Sequence, residues 1–304
     1  MALKDIKTKI GATNRTHKVT RAMEAVSAVK MRKTQEAALA GRPYARAALS
    51  ILTRIAGTDE VKRHPLAEQR PVLRVALVVI TSDKGLAGAL NSGVIKAAAE
   101  YLEKRVLSTG QVVVYAYGKK GEEYFARRGY QIARAIENKA DDVPLATMEE
   151  LTRELSGGFL RGDYDKVVTF YSHFRSTFEQ APTMRRLLPL SLPALTDIVE
   201  GIIPAKGKWS HEPSLEPPIS YEVEPKSGDV LGALIPRLTS VALYHMLLEA
   251  KASEHSARMV AMKNASDKSK EVAHGLTRLF NKIRQAAITR EVSEIISGRE
   301  ALAT

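Results

Sequence analysis

The sequence predicts an α/β protein in which a long antiparallel coiled coil, formed by the N- and C-terminal helices, carries an inserted α/β domain. Two apolar stripes at opposite ends of the 304-residue chain predict the two helices. Apolar strand-like runs that alternate with helix-like stretches predict the inserted domain. We therefore divide the chain into a first helix (1–57), an α/β domain (72–191), a proline-rich loop (192–225) and a last helix (226–304).

The C-terminal stripe is the longer of the two. No proline occurs from Arg237 to Thr304, and the stripe is polar only at His245, His255, Ser266 and Ser269. A straight helix drifts off a seven-residue repeat, so a stripe of this length predicts supercoiling against a partner helix. At 1.5 Å per residue the helix is roughly 100 Å long. The stripe takes steps of three and four residues through Leu231, Leu234, Leu238, Val241, His245, Leu248, Ala252, His255, Met259, Met262, Ser266, Ser269, Ala273, Leu276, Phe280, Ile283 and Ala287.

The N-terminal stripe is the expected partner of the C-terminal one. It begins with Leu3, Ile6, Ile10, Thr13 and His17. We expect a shifted stripe to follow, made of Ala22, Val26 and Val29, and then Ala37, Ala40, Tyr44, Ala47, Ile51 and Ile55. Pro43 interrupts this length, and a proline inside a helix costs about 3 kcal/mol, so we expect a kink or a break there.

The middle of the chain changes from helical to alternating character. Nearly continuous apolar, β-branched runs at 72–80, 112–117 and 166–171 are typical of strands buried on both faces, and a last strand is expected near 183–191. Helix-like stretches lie near 91–107, 118–128 and 145–161, which indicates a mainly parallel sheet. Five prolines in 201–225 predict a loop, in which the role of Trp209 is open.

Composition excludes several classes of site. The chain has no cysteine, which excludes disulfides, thiolate metal sites and cysteine nucleophiles. Its seven histidines are scattered without helical ligand spacing, so we predict no metal site. No stretch of 18 apolar residues predicts a membrane span. The formal net charge of +12 suits nucleic acid, an anionic membrane surface, an acidic protein partner or a solvated basic surface.

A glycine-containing segment, TSDKGLAGALN (81–91), follows the first strand and precedes a helix. That position suits a loop that binds phosphate, but the segment has neither the Gly-x4-Gly-Lys-Ser/Thr pattern nor the Gly-x-Gly-x-x-Gly pattern. Lys84 also precedes the glycines, whereas the lysine of a phosphate-binding loop follows them. We therefore favour a tight strand-to-helix turn with Asn91 or Ser92 capping the helix. Ser82, Asp83 and His173 have no spacing typical of a hydrolase.

The end of the last helix is apolar on more than one face, through Ala286, Ala287, Ile288, Val292, Ile295 and Ile296. Because it lies beyond a plausible intrachain partner, either insertion into the sleeve of a partner protein or simple packing accounts for it. The basic first helix lacks the aromatic residues that nucleic-acid bases stack on, which disfavours a nucleic-acid partner.

Four segments resemble the gamma subunit of F-type ATP synthases, and together they extend over the chain. They are HKVTRAMEAVSAVKMRK (17–33), TSDKGLAGALN (81–91), YEVEP (221–225), and SEHSARMVAMKNASDKSKE with FNKIRQAAITREVSEIISG (253–298). The resemblance implies a coiled-coil shaft with a Rossmann-like side domain. It also implies a non-catalytic rotor that turns inside an alpha–beta hexamer and couples proton flow to ATP synthesis, with no cofactor and no metal of its own.

The resemblance also implies partner contacts. The basic residues Lys18 and Arg21, with Met23, would face the acidic lever of the beta subunits, and Arg258, Gln285 and Thr289 occupy matching positions on the second helix. Tyr221 and Glu224 match the foot that meets the membrane c-ring and the epsilon subunit, so membrane contact would be indirect. The chain lacks the cysteine pair of plastid members and an evident transit peptide, which predicts the cytoplasmic face of a bacterial inner membrane.

Two other functions stay open at this point. One is a nucleotide-binding α/β enzyme with helical arms, and the other is a basic coiled-coil protein that binds nucleic acid. Tight stoichiometric binding of ATP by the isolated chain would favour the first. Sequence-selective, salt-dependent binding of duplex DNA would favour the second.

Overall fold

A computed structural model describes residues 3–40, 64–139, 145–190 and 227–303 of the chain. The chain forms two compact units. The first contains Met1–Ser27 and Arg258–Thr304, and the second contains Ala28–Ala257.

Two long helices contribute to both units. Helix α1 extends over Leu3–Ala40, and the kink or break predicted at Pro43 lies outside the described residues. The remainder of the predicted first helix, to residue 57, lies outside the described residues. The C-terminal helix, α5, extends over Ser227–Ala303 and continues through Pro236.

The second unit contains an α/β domain built on a five-stranded sheet. Its strands are β1 (Val75–Ile80), β2 (Val112–Tyr117), β3 (Gln131–Ile136), β4 (Lys166–Phe174) and β5 (Gln180–Leu188). Helices α2 (Leu90–Lys104), α3 (Lys119–Ala126) and α4 (Leu145–Arg161) connect the parallel strands. The predicted fold class, two terminal helices with an inserted α/β domain, is confirmed.

The strand order is β3-β2-β1-β4-β5, and only β5 runs antiparallel to its neighbour. Strand β1 lies at the centre, and all six of its residues are buried. Burial on both faces explains the continuous apolar run that predicted this strand. Because successive strands pass first to one side of β1 and then to the other, the chain has a topological switch point between β1 and β4.

Strand β3 was not predicted from the sequence. It is an edge strand with alternating exposed and half-buried residues, and only Ile132 and Ile136 are strongly apolar. Such a short, half-polar segment lacks the continuous apolar pattern of the central strands. Its pairing with β2 identifies it, and that pairing is a property of tertiary structure.

The sheet is covered on both faces. On one face, Val94 and Leu102 of α2 and Phe125 of α3 pack with alternate residues of β1 and β2. On the other face, α4 contributes Leu155 and Phe159 to a cluster that also contains α5. The α5 members are Ile235, Leu238, Ala242, Leu243, Met246, Leu247, Leu248 and Ala250. The first part of α5 is therefore a core element of the second unit.

The predicted C-terminal stripe is largely correct. From Leu238 to Ile283 its residues are buried or half-buried, including the four polar positions. The last predicted residue, Ala287, is exposed. The side chains of Leu231 and Leu234 lie outside the described part of the chain.

The predicted shift in the N-terminal stripe is wrong. Val26 and Val29 are exposed, as is Ala22, and Ala37 and Ala40 face solvent as well. The seven-residue pattern continues unshifted through Thr20, Ser27 and Thr34, which are buried. The small hydroxyl side chains reach their own helix, where Ser27 Oγ donates to Met23 O at 2.7 Å and Thr34 Oγ1 donates to Lys30 O at 2.9 Å. A hydroxyl that has a hydrogen-bond partner tolerates burial. A prediction from hydrophobicity alone therefore misplaces the seam, by which we mean the buried stripe along each long helix.

The phenol of Tyr117, at the end of β2, gives the protein an alkaline stability limit. Burial, with a smaller contribution from Asp83, raises the pKa of Tyr117 to about 12. The folded state therefore favours the neutral phenol, and the stability so gained is complete below the unfolded pKa near 10 and lost as the pH rises through about 12. We expect Tyr117→Phe to match the wild type at neutral pH and to lose less stability in that window. Urea midpoints across the pH range measure this, and parallel losses in the two proteins would contradict it.

In the described ranges no helix is long and apolar enough to cross a bilayer. The same ranges contain no group of three or more histidine, aspartate or glutamate side chains arranged to hold a metal ion.

Candidate functional site: the two-helix unit

A polar contact fixes the pairing of the two helices in the first unit. The Nδ1 atom of His17 lies 3.0 Å from the carbonyl oxygen of Ser266 and 2.9 Å from its hydroxyl oxygen. Both residues occupy the predicted stripes, and Ser266 is buried. Single polar contacts in a coiled-coil seam specify register, because any slip leaves them unpaired.

The register explains where the paired region ends. With His17 against Ser266, antiparallel helices place Leu3 about level with Phe280 and Ile10 about level with Ala273. These four residues are buried or half-buried. Helix α1 begins at Leu3, so α5 has no α1 residue beside it beyond about Ile283. From residue 284 to 299 every residue of α5 is exposed.

The unpaired end of α5, which we call the tip (284–299), carries an aliphatic stripe. Ile288, Val292, Ile295 and Ile296 are about half exposed or more, Ile295 at 67%. At about 100° per residue these four side chains share one face of the helix. Ile288 lies about 140° around the helix from Ile283, so the stripe does not continue the seam. The expectation of several apolar faces is thus refined to one aliphatic face, with Ala286 and Ala287 exposed elsewhere.

Two of the predicted contact residues belong to the tip. Gln285 and Thr289 are exposed, and their positions place them on the same face as Ile288 and Val292. The face therefore combines branched aliphatic side chains with one amide and one hydroxyl. Arg258 lies 27 residues earlier on α5, about 40 Å away along the axis, and is half-buried.

The predicted contact residues of α1 do not form a single patch. Lys18 and Arg21 are exposed and Met23 is half-buried. On the helix, Met23 lies about 160° from Arg21, so these two occupy opposite flanks of the seam, whereas Lys18 lies farther round, about 40° from Ala22. The register puts Met23 close to the level of Arg258. Four predicted residues therefore lie at one level of the unit and the other two at the tip, while Tyr221 and Glu224 lie outside the described residues.

An apolar surface on α1 was missed because two of its members, Ala22 and Val26, were assigned to the seam. Val19 is 58% exposed and Val26 55% exposed, and Ala22 between them is exposed as well. Their spacing puts all three on the side of α1 opposite the seam. The sequence signal for this surface was a second apolar stripe on α1, in addition to the seam. A helix that is apolar on two sides has two partners.

The glycine-containing turn between β1 and α2 is closed by its own side chains. Ser82 N donates to Asn91 Oδ1 at 2.9 Å, Asn91 Nδ2 donates to Ser82 Oγ at 2.7 Å, and Ser82 Oγ donates to Lys84 O at 2.6 Å. The predicted capping is wrong: Ala89 is the N-cap residue, and Ser92 Oγ donates to Ala89 O. Asn91 ties the turn to the end of β1 instead.

The carboxyl edge of β1 is bonded to α3 and to the segment after β3. Gly121 N donates to Thr81 Oγ1 at 2.9 Å, Asn138 Nδ2 donates to Thr81 O at 2.8 Å, and Lys119 N donates to Asp83 Oδ1 at 2.9 Å. Gly118 has φ +100°, and a Cβ there would lie 2.0 Å from Thr81 O, so only glycine fits. The backbone amides of Lys119 and Gly121 at the start of α3 are therefore used internally and are not available to a phosphate.

Ser82, Asp83 and His173, which have no hydrolase spacing in the sequence, bond to separate partners in the structure. The Nδ1 atom of His173 lies 2.8 Å from Oε2 of Glu249, whereas Ser82 bonds to Asn91 and Lys84. Asp83 serves the start of α3. No nucleophile–base pair forms among them, as the spacing indicated.

Comparison with known proteins identifies the family of this two-helix, α/β architecture. The family model described as ATP synthase matches residues 2–302. The ATP synthase gamma chain of Roseiflexus castenholzii is 41% identical over 302 residues, covering 99% of this chain and 98% of the relative. The chain belongs to the ATP synthase gamma-chain family. The gamma chain of Roseiflexus sp. strain RS-1 is also 41% identical, with the same coverage.

Solved structures agree with the family. The central stalk and c-ring structure of the Tetrahymena thermophila mitochondrial ATP synthase contains a chain 26% identical, with a TM-score of 0.59, covering 82% of this chain and 99% of the other. A Euglena gracilis mitochondrial ATP synthase contains a chain 17% identical with a TM-score of 0.65, covering 99% and 94%, which shows the fold alone. As a gamma chain, the protein is the central shaft of a rotary ATP synthase and a non-catalytic subunit of that complex.

Proposed function

We propose that the first unit is the part of the shaft that works inside a hexamer of alpha and beta subunits. The observation that carries the proposal is the tip, whose aliphatic face is exposed from Ile288 to Ile296 in the isolated chain. Solvent does not favour a continuous branched-aliphatic face on a helix without a partner. A ring of apolar residues from the surrounding subunits would bury this aliphatic face and would still allow the helix to rotate.

The predicted contact residues near the level of Met23 and Arg258 support the same arrangement. Arg21 on one flank, Met23 on the other, and Lys18 with the Val19–Val26 stripe on the outer side give the unit contacts in several directions. A shaft encircled by a ring needs contacts of this kind. With a net charge of +12, acidic levers on the beta subunits are suitable partners for the cations.

The shaft drives catalysis through asymmetry. It can change the state of a catalytic site only by contacting the open and closed forms of a beta subunit with different free energies. A cation on one flank, a methionine on the other and a cation beside apolar residues on the outer side make the surface different in each direction, so rotation presents a different contact to each subunit in turn. Proton flow through the membrane ring would supply the rotation. We place the complex at the cytoplasmic face of a bacterial inner membrane, with Tyr221 and Glu224 at the ring and the epsilon subunit.

Met23→Lys tests the coupling assignment. Met23 is half-buried on the flank of the seam, so a flexible lysine can reach solvent and the isolated chain should lose less than about 1 kcal/mol of stability. In the complex we expect proton pumping per ATP hydrolysed to fall several-fold, because the new charge alters the contact with the levers. Pumping and hydrolysis are measured in reconstituted vesicles. The control, Met23→Leu, should retain coupling.

The same reconstitution separates coupling from assembly. If pumping and hydrolysis fall in parallel with the amount of assembled complex, Met23 acts on assembly and the assignment is wrong. Stoichiometric ATP binding by the isolated chain, measured by equilibrium dialysis, would contradict the non-catalytic role itself.

A further inference from the structure

The amino edge of the sheet, where the parallel strands begin, carries a cluster of cations. Lys166 opens β4 and is half-buried, and its Nζ atom lies 5.8 Å from the centre of the Tyr101 ring. The guanidinium of Arg105, at the end of α2, lies 5.6 Å from the same ring. Arg186 is on the adjacent strand β5. We call Arg105, Lys166 and Arg186 the amino-edge cluster.

Like charges surround Lys166. Burial lowers the pKa of Lys166, and the nearby charges of Arg105 and Arg186 lower it further. Within the described part of the chain, neither Lys166 nor Arg105 forms an ion pair with a carboxylate. Like charges held together beside a half-buried lysine destabilise the protein unless an anion joins them. The charge preference of a helix C-terminus explains Arg105 but not Lys166.

Two exposed aliphatic residues lie at the same edge. Val106 is 88% exposed and Leu73, two residues before β1, is 66% exposed. Gln111 Nε2 donates to Leu73 O at 3.2 Å, which joins the segment before β1 to the segment before β2. Cations and exposed aliphatic side chains therefore lie at one edge of the domain.

Val106 occupies a position that normally requires glycine. It has φ +54°, its N–H donates to Glu103 O at 3.0 Å, and Leu107 N donates to Leu102 O at 3.1 Å. This is the Schellman arrangement at a helix C-terminus, in which glycine is the usual left-handed residue. A β-branched residue there is strained, so its side chain is maintained at a cost in stability.

We propose that the amino edge binds the surface of an anionic phospholipid membrane. The amino-edge cluster would bind lipid phosphates, and Val106 and Leu73 would enter the interface between headgroups and acyl chains. Phosphate supplies the anion that Lys166 lacks, and the aliphatic side chains favour a membrane over a soluble acidic segment, since basic and apolar residues together are typical of interfacial binding. This contact is direct and does not depend on the proposed shaft function.

Flotation of the purified full-length chain with vesicles tests the proposal. We expect binding to vesicles of equal parts phosphatidylcholine and phosphatidylglycerol, and little binding to phosphatidylcholine alone. Arg105→Gln with Lys166→Gln should weaken binding by about thirtyfold, from the typical contribution of two cations near a charged surface. The control pair Lys84→Gln and Arg153→Gln removes the same charge from exposed positions at the carboxyl edge and on α4. Equal weakening by both pairs would show that only net charge matters and would overturn the proposal.

Val106→Gly separates the structural role from the binding role. Glycine relieves the left-handed backbone, so the thermal unfolding midpoint should rise by about 2 °C. Vesicle affinity should fall several-fold, because the interfacial side chain is removed. Undiminished vesicle binding by this variant would overturn the role of the aliphatic residues. Binding of polyglutamate that depends on Arg105 and Lys166, with vesicle binding independent of them, would assign the edge to an acidic polypeptide instead.

Discussion

Replacing Ile288 and Ile295 by aspartate is expected to abolish rotary coupling while leaving the isolated chain as stable as the wild type. Both side chains lie on the exposed aliphatic face of the tip, where residues 284–299 contact no other part of the described chain closely enough to be covered. Burying an isoleucine in a partner is worth about 1.5–3 kcal/mol. Losing two such contacts lowers the affinity for the proposed alpha–beta hexamer by at least about a hundredfold.

A matched variant distinguishes the loss of the aliphatic face from the effect of the added negative charge. Ser293→Asp with Ser297→Asp adds the same two charges to the same helical turns but on the opposite side of the tip. We expect its ATPase coupling to stay within about twofold of the wild type, a change of less than about 0.5 kcal/mol. Coupling is measured as ATP-driven proton pumping, and assembly by co-purification with the alpha and beta subunits. Equal defects in the two variants would show that the aliphatic face is not a contact surface.

The regular elements were predictable where local pattern and tertiary environment agree. Strand β2 coincides with its predicted range, and so does α4, because a fully buried strand and an amphipathic helix carry their burial in their own sequence. Strand β3 could not be found this way, since it is half-polar and its identity comes from pairing with β2. The capping role of Asn91 was misplaced for a similar reason, because its partner, Ser82, lies in the preceding turn.

The seam of the coiled coil shows the limit of hydrophobicity as a guide. The C-terminal stripe was followed correctly through Ser266, since apolar residues flank it on both sides. In α1 the seam residues Thr20 and Ser27 are small and polar, whereas Val26 is larger and exposed. A prediction that follows the most apolar residues therefore moves from the buried side of α1 to its exposed outer side. That outer face is a candidate contact surface, so the mistake marks a place where function competes with folding.

The predicted contact residues came from resemblance to a family, and the structure adds their spatial order. Met23 and Arg258 lie close to one level, Gln285 and Thr289 belong to the tip, and the foot residues lie outside the described chain. Spacing along a sequence cannot give the 40 Å between the two levels without the helix that separates them. Nor can it show that Met23 and Arg21 occupy opposite flanks until the seam is known.

Helix α5 is joined to the β4–β5 hairpin by polar contacts that a rotating shaft would load. Ser253 Oγ donates to Ser172 O at 2.9 Å, and Ser256 Oγ donates to Thr177 O at 2.6 Å. Between His173 and Glu249 the distance is 2.8 Å from Nδ1 to Oε2. The Glu249 side chain is buried, and its charge adds to burial in raising the pKa of Tyr171.

Glu249→Ala is expected to destabilise the second unit by about 3 kcal/mol. Removing one partner of a buried polar pair leaves the other without its hydrogen bond in a site that water does not reach freely. Glu249→Gln retains an acceptor oxygen for His173 and should cost about 1 kcal/mol. Urea unfolding of the full chain, followed through the α/β domain, measures both values.

A double-mutant cycle then assigns the loss to a specific contact. If the His173–Glu249 contact carries the effect, His173→Ala combined with Glu249→Ala should be less destabilising than the sum of the single changes by about 1–2 kcal/mol. Additive losses would mean that Glu249 acts through other neighbours, which include Tyr171 and His245, the latter with Nδ1 3.7 Å from Oε1. In that case torque would pass from helix to domain through the serine hydroxyls and apolar packing, and Ser253→Ala would become the more damaging change for a rotor under load.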